Sequence, residues 1–253
     1  MLSVKPWRSE AVIQFIAAQF VCFSLGLVAA AGLQWAGVPA FKSPDSFGVV
    51  LCSTLGFQGA TWVLIYFFLR QHQVTWRETF GLRKSRWWRA LLMALVTALV
   101  ILPVAWRLEQ ASELVLEKFG WTPASQTAVT MLAHAKSWWT RVYLGLFAVA
   151  IAPVAEEFIF RGVLYPFVKQ LGLPRVALFG VSAIFALIHL DVTILVPLFV
   201  LALVLTWLYE RTDSLLAPIA AHSLFNAANL VVLLFGVQLH QPLQRLYHLL
   251  HLT

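Results

Sequence analysis

Charge is scarce in this chain. Asp, Glu, Lys and Arg make up 11% of 253 residues, where a soluble domain carries about 25%. With 60% hydrophobic residues and a mean hydropathy of +0.80, that deficit excludes an ordinary water-soluble globule and predicts a polytopic membrane protein. Cysteine is scarcer still. Cys22 and Cys52 both fall in apolar runs, so there is no disulfide framework and no paired-cysteine metal motif. The Gly-x-Ser-x-Gly elbow and the His-Glu-x-x-His zinc motif are absent. Ser182 and Ser223 have no acidic relay beside them, which disfavours a serine mechanism. Asp191 and Asp213 fall at turns, so no pair of intramembrane aspartates is available. No internal repeat, low-complexity segment or soluble docking domain is seen.

What remains is a series of apolar runs. A membrane span needs about 20 mostly apolar residues, and stretches 12–36, 47–69, 90–106, 143–168, 176–190, 193–209 and 215–235 qualify or come close. The sequence therefore predicts an all-α, polytopic transmembrane helical bundle of about seven spans in one membrane domain, 1–253. Lys5 and Arg8 precede the first run as they do in a signal peptide. The run is longer than a signal peptide's apolar region of about 7–15 residues, so it reads as a retained first span. Pro103 is expected to kink the end of the third. Residues 107–140 differ: Glu109, Glu113 and Glu117 recur every four residues with Leu114, Leu116 and Phe119 between them. That is an amphipathic helix, followed by a weaker helical piece over 125–136 and an interfacial Trp138-Trp139 anchor. This connector, 107–140, is expected at or outside the membrane surface.

The formal charge is +7. In this setting it points to basic loops and anionic lipid headgroups, and to no nucleic-acid partner. Lys5, Arg8, the cluster between Arg70 and Arg89, Lys169, Arg175 and Arg211 fall on one side of seven spans, which predicts a multi-pass protein of the cell membrane with a cytoplasmic N-terminus.

Within this apolar background stands Ala155-Glu156-Glu157-Phe158-Ile159-Phe160-Arg161-Gly162. An ionisable residue inside a span costs about 2.5–3.5 kcal/mol on insertion scales and marks a functional site by default. Glu157 and Arg161 are four apart, share a helix face and can pair. A structural ion pair explains those two; it leaves Glu156, about 100° round the helix, without a reason. His189 ends the fifth span with Phe185 on the same face. Taken alone it is an ordinary boundary histidine. His222 and Asn226 share a face of the seventh span, and Asn229 follows as interhelical hydrogen-bond glue. His240, His248 and His251 follow the last span and read as surface or interfacial. Glu156, His189, His222 and Asn226 together are harder to dismiss. One carboxylate and two imidazoles either activate water directly or hold a metal, since two His and one Glu form a known catalytic zinc set.

Three motifs stand in order: Glu156-Glu157-Phe158-Ile159-Phe160-Arg161, Phe185 to His189, and His222 to Asn226. Together they resemble the CPBP family of intramembrane proteases, which comprises CAAX prenyl endopeptidases and bacteriocin-processing or immunity proteins, formerly called abortive-infection proteins. Its pattern is Glu-Glu-x-x-x-Arg, Phe-x-x-x-His and His-x-x-x-Asn. The resemblance covers about residues 140–235, which makes that region the catalytic core. It implies a metal-free, glutamic-type endopeptidase without a cofactor, with zinc as the minor alternative. Glu156 would activate the water with help from His189, His222 and Asn226 would stabilise the oxyanion, and Glu157, Arg161 and Phe185 would support the site. The implied partners are the lipid bilayer and a membrane-associated peptide or protein substrate. Recognition would fall to the bundle, the 70–89 surface or the 107–140 connector. Two other functions compete. A non-catalytic immunity or scaffold protein would keep the cavity without the chemistry. A proton-coupled transporter would use Glu156 as a relay, but no inverted repeat supports it. The span limits also carry a mismatch: they put His189 near the outer end of the fifth span and Glu156 in the inner half of the fourth.

Overall fold

The computed structural model describes residues 2–43, 46–79, 81, 87–121 and 137–250, with side chains through residue 234. The described chain is helical, with no strand among the described residues. The helices are α1 (Ser9–Trp35), α2 (Phe47–Gln71), α3 (Trp76–Thr79), α4 (Trp87–Lys118), α5 (Trp138–Gln170), α6 (Pro174–Leu187), α7 (Leu195–Thr212) and α8 (Leu216–Leu250). In a hydrocarbon phase every backbone N–H and C=O must be satisfied within the segment, which is why apolar runs of this length become helices. Among the described residues, six helices are long and apolar enough to cross a membrane: α1, α2, α4, α5, α7 and the first part of α8, Leu216–Leu234. The helical bundle is as expected, but one of the seven anticipated spans is not a full one.

That element is α6. It has 14 residues, so it is about 21 Å long against a hydrocarbon core of about 30 Å. Gly172, with φ +82°, makes the turn out of α5, and Pro174 starts α6 at a position where its missing N–H costs nothing. Leu190, with φ +53°, ends the helical path just after His189. A leucine in the left-handed region costs about 1–2 kcal/mol, and such strain tends to collect beside functional sites. This short helix removes the mismatch in depth. Counted from the α5–α6 turn, Glu156 lies 14 residues back from Gln170 and His189 lies 15 residues on from Pro174, so the two antiparallel helices bring them to one level.

The third span also differs from expectation. α4 runs unbroken from Trp87 to Lys118 with Pro103 inside it, so the amphipathic stretch from residue 107 continues the span and is no separate helix. A proline costs an interior helix about 3 kcal/mol. Ending the helix in an apolar phase would orphan several backbone groups at once, which costs more. The expected 125–136 piece lies outside the described residues, as do the side chains of His240, His248 and His251. Trp138 and Trp139, 59% and 68% exposed, stand at the start of α5.

α5 and α7 are the most enclosed helices, with 39% of each apolar window buried, and they therefore sit at the bundle's centre. α6 packs along α7, α7 along α4, and α4 along α8, while α1 pairs with α2. The α1–α2 crossing is set by glycine. A Cβ on Gly26 would stand 2.9 Å from the Cys52 carbonyl oxygen and 3.1 Å from Gly56 Cα. Gly26→Val is expected to destabilise the fold by about 1–3 kcal/mol, as overpacking does. Gly32→Ala, with nothing within 4 Å of the new atom, is expected to be neutral. Unfolding of both variants in mixed micelles checks this, and equal stabilities would refute it.

The chain before α1 forms a strap across the N-terminal end of the bundle. The Leu2 amide donates to Glu210 (3.3 Å), and the Ser3 amide and hydroxyl donate to Asp213 (3.2 and 2.8 Å). Lys5 pairs with Asp213, and Gln170 donates to the Lys5 carbonyl (2.6 Å). Glu210 in turn accepts from the Tyr165 hydroxyl (2.7 Å) and from Lys169.

Candidate active site

The site is built on α5, which is not a uniform α-helix. Two π segments, Phe147–Ile151 and Phe158–Leu164, flank the short α turn Ala152–Glu157 that carries both glutamates. π segments of this kind are frequent at functional sites. Here two prolines sharpen their effect. The Ala152 N–H turns back to the Phe147 carbonyl, and the next residue, Pro153, has no N–H, so the Ala148 carbonyl lacks its helical donor. Asn226 of α8 supplies one, Nδ2 to O at 2.9 Å. In α2 the Phe57 carbonyl, in the π segment Leu55–Gly59, accepts from Gln19 (2.9 Å) and Thr61 (2.7 Å) besides the Ala60 N–H.

Glu157 is 0% exposed and Glu156 is 13% exposed. Arg161 bonds to Glu157, and His222 is shared by both acids through its two ring nitrogens. Glu157 Oε1 accepts from Arg161 Nη1 at 2.8 Å and from His222 Nδ1 at 3.0 Å, while its Oε2 has no partner among the described residues. Arg161 is fixed on its other sides by the Ala202 carbonyl (Nη2 to O, 2.9 Å) and the Thr206 hydroxyl (Nε to Oγ1, 3.4 Å), both on α7. Its guanidinium also lies 4.7 Å from the Phe185 ring centroid. Phe185, fully buried, touches both histidines, at 5.1 Å from His189 and 5.7 Å from His222.

His222 spans the two carboxylates. Its Nδ1 faces Glu157 and its Nε2 stands 3.8 Å from Glu156 Oε2. That gap is too long for a direct hydrogen bond, yet one oxygen placed at about 2.8 Å from each atom would meet both. His189 Nδ1 lies 2.8 Å from the Phe185 carbonyl. A carbonyl only accepts, so Nδ1 carries the proton and Nε2 of the neutral ring keeps a lone pair. His189 is close enough to act electrostatically on Glu156.

The structure thus brings Glu156, Glu157, Arg161, Phe185, His189 and His222 together. Asn226 stands one turn from His222 on α8, with its amide turned to Ala148. Asn229 accepts from the Trp106 indole at 2.8 Å, as interhelical glue. Thr206, the Ala202 carbonyl and the two prolines did not figure in the sequence reading. Thr206, a hydroxyl four residues past Ala202 in an apolar run, was the available signal. Among the described residues no three His, Cys, Asp or Glu side chains are grouped as a metal-ligand set.

No curated protein and no solved structure matches the chain. Residues 137–228, a little over a third of it, match the family described as type II CAAX prenyl endopeptidase Rce1-like. The matched stretch runs from the start of α5 into α8 and contains every side chain of the cluster around Glu156 and His222. Over that region the chain is similar to the Rce1-like family of type II CAAX prenyl endopeptidases.

Proposed function

We propose that this protein is a metal-free, glutamic-type intramembrane endopeptidase that hydrolyses a peptide bond in a membrane-associated peptide or protein. The observation that carries the reading is the pairing of a partly open Glu156 with His222 Nε2 at 3.8 Å, while the fully buried Glu157 holds His222 Nδ1 from behind.

The chemistry follows from these atoms. Water bound between Glu156 and His222 gives a proton to the Glu156 carboxylate as its oxygen attacks the scissile carbonyl carbon. With the His222 ring doubly protonated, its Nε2–H donates to the water oxygen, and the His189 Nε2 lone pair accepts from the water's other hydrogen and orients it. The carbonyl π electrons move to oxygen, giving a tetrahedral oxyanion. Asn226 has a second amide hydrogen beyond the one on Ala148, and it is oriented by that bond to serve as an oxyanion donor. His222 donates its Nδ1–H to Glu157, so its Nε2 is a donor to the oxyanion only when the ring is doubly protonated. The proton on Glu156 then passes to the leaving amine as the C–N bond breaks, which returns the carboxylate. Donors placed this way contribute about 10²–10³-fold each.

The test uses purified protein in nanodiscs and a panel of fluorogenic peptides, prenylated, acylated and unlipidated. Cleavage of a lipid-bearing peptide is expected to persist after dialysis against a chelator, with zinc well below one per chain. Activity lost on chelation and restored by zinc would overturn the metal-free assignment. Parent protein that cuts none of the panel, while binding one of them, would favour the scaffold.

A further inference from the structure

The second π segment of α5, Phe158–Leu164, carries Arg161 and follows directly on Glu157. Its Gly162 carbonyl also faces a proline, in a different register: Ala148 misses the i+5 donor of a π turn, and Gly162 the i+4 donor of the α register that resumes at Tyr165. In an α-helix the donor would be the N–H of residue 166, and residue 166 is proline. The bond is made from outside the helix and outside the matched residues 137–228. Trp7, in the strap before α1, donates its indole Nε1–H to the Gly162 carbonyl at 2.9 Å. Trp7 is 8% exposed and its indole packs on Phe68 at 4.9 Å and His72 at 5.1 Å. His72 is itself fixed: its Nδ1 faces the Phe68 carbonyl at 2.7 Å, and its Nε2 accepts the Arg8 amide at 3.1 Å. Burial foremost, then the Arg8 charge, lower the pKa of His72, which keeps that nitrogen free to accept. The turn Ala152–Glu157 is therefore suspended between two proline-orphaned carbonyls, each capped by one side chain from elsewhere in the chain.

We propose that Trp7 is a positioning residue for hydrolysis: by replacing the N–H that Pro166 lacks, it holds the π segment whose Arg161 orients Glu157 and, through Glu157, His222. The kinetic part of this inference rests on the peptidase reading above; the geometric part does not. A buried carbonyl left without its donor bears an uncompensated desolvation cost. A segment that relaxes to recover it shifts Arg161, and misplacements of about 1 Å at a catalytic group cost up to about 100-fold.

The experiment is a cycle of Trp7→Phe, which keeps an aromatic ring and removes the N–H, and Pro166→Ala, which returns a backbone N–H to the position Trp7 serves. Two quantities are read on folded protein in nanodiscs: kcat and KM for a cleaved peptide, and the Nδ1–H proton resonance of His222, assigned by its loss in His222→Gln. Trp7→Phe is expected to lower kcat about tenfold with KM within about twofold, and to move the resonance. Pro166→Ala is expected to behave as the parent, and Trp7→Phe/Pro166→Ala to match Pro166→Ala in both readouts. An unchanged kcat and an unmoved resonance in Trp7→Phe would overturn the proposal, as would a double variant that stays as impaired as Trp7→Phe alone. If Trp7→Phe does not fold, the comparison of the double variant with Pro166→Ala decides, equality supporting the proposal and a further loss refuting it. If the parent cuts nothing, the peptidase reading fails and the resonance alone decides: movement in Trp7→Phe with return in the double variant supports the positioning role, and no movement rejects it.

Discussion

Glu156→Gln is expected to reduce peptide cleavage by about 10²–10⁴-fold, the range general-base removal produces, while leaving the fold intact. The two effects separate because of where the carboxylate sits. Glu156 is 13% exposed and its His222 contact is 3.8 Å long, so no short ion pair is lost when the charge goes. An amide of the same size fills the same space but takes no proton from water. The neighbouring substitution is expected to behave differently: Glu157→Gln keeps an oxygen for Arg161 and His222 but removes the charge that Arg161 is buried against. It should therefore lower stability more than Glu156→Gln does. The measurement is cleavage per folded protein, with helicity and elution volume checked for both variants. A Glu156→Gln protein that cuts at the parent rate would remove Glu156 from the chemistry and turn attention to His189 as base. If a cellular phenotype is kept by the same variant, the protein acts by binding.

The helical bundle and the residues of the cluster were legible in the sequence because their signals are local. Apolar runs give helices, and spacing of four gives the Glu157–Arg161 pair, which stands at 2.8 Å. Spacing also put Glu156 on a different face, and in the structure Arg161 bonds to Glu157 while His222 reaches both acids. The depth of His189 was not legible. It depends on α6 stopping after 14 residues, and the stop is made by a left-handed leucine, a residue that carries no such preference. The continuity of α4 through Pro103 was missed because proline punctuates helices in water, where a broken end finds solvent, and not in lipid. The double engagement of His222 was out of reach. It joins residues 65 apart in the chain, and no periodicity reports a contact of that kind. Trp7 is the same case at a separation of 155 residues, although Pro153 and Pro166 were visible. In an apolar span each proline asks which distant donor serves the carbonyl four or five residues back.

Arg161→Met is expected to destabilise the protein by about 3–5 kcal/mol, the cost of stripping one partner from a buried ion pair, and to abolish activity with it. Arg161 is 1% exposed and Glu157 is 0% exposed, so water does not replace what is lost. The Glu157 carboxylate would keep His222 as a donor on Oε1, with Oε2 already lacking a partner among the described residues. The Ala202 carbonyl and Thr206 hydroxyl would lose their guanidinium contacts, though Thr206 still donates to Ala202 at 2.8 Å. Arg161→Lys is not expected to rescue. A single ammonium cannot reach Glu157, Ala202 and Thr206 from one fork while lying over the Phe185 face. The informative comparison is the double variant Glu157→Gln/Arg161→Met. With both charges gone no anion is left uncompensated, and the double variant should be more stable than Arg161→Met alone, since a buried pair replaced by neutral groups is often tolerated. Denaturant unfolding in mixed micelles reads all three variants against the parent. If Arg161→Met falls within about 1 kcal/mol of the parent, the range of a surface pair, the guanidinium is not holding Glu157 against His222 and the site's geometry must be set from the α8 side. If it falls by the full amount and the double variant recovers stability without activity, the pair's charge serves catalysis by fixing the imidazole, and the fold bears its desolvation for that use.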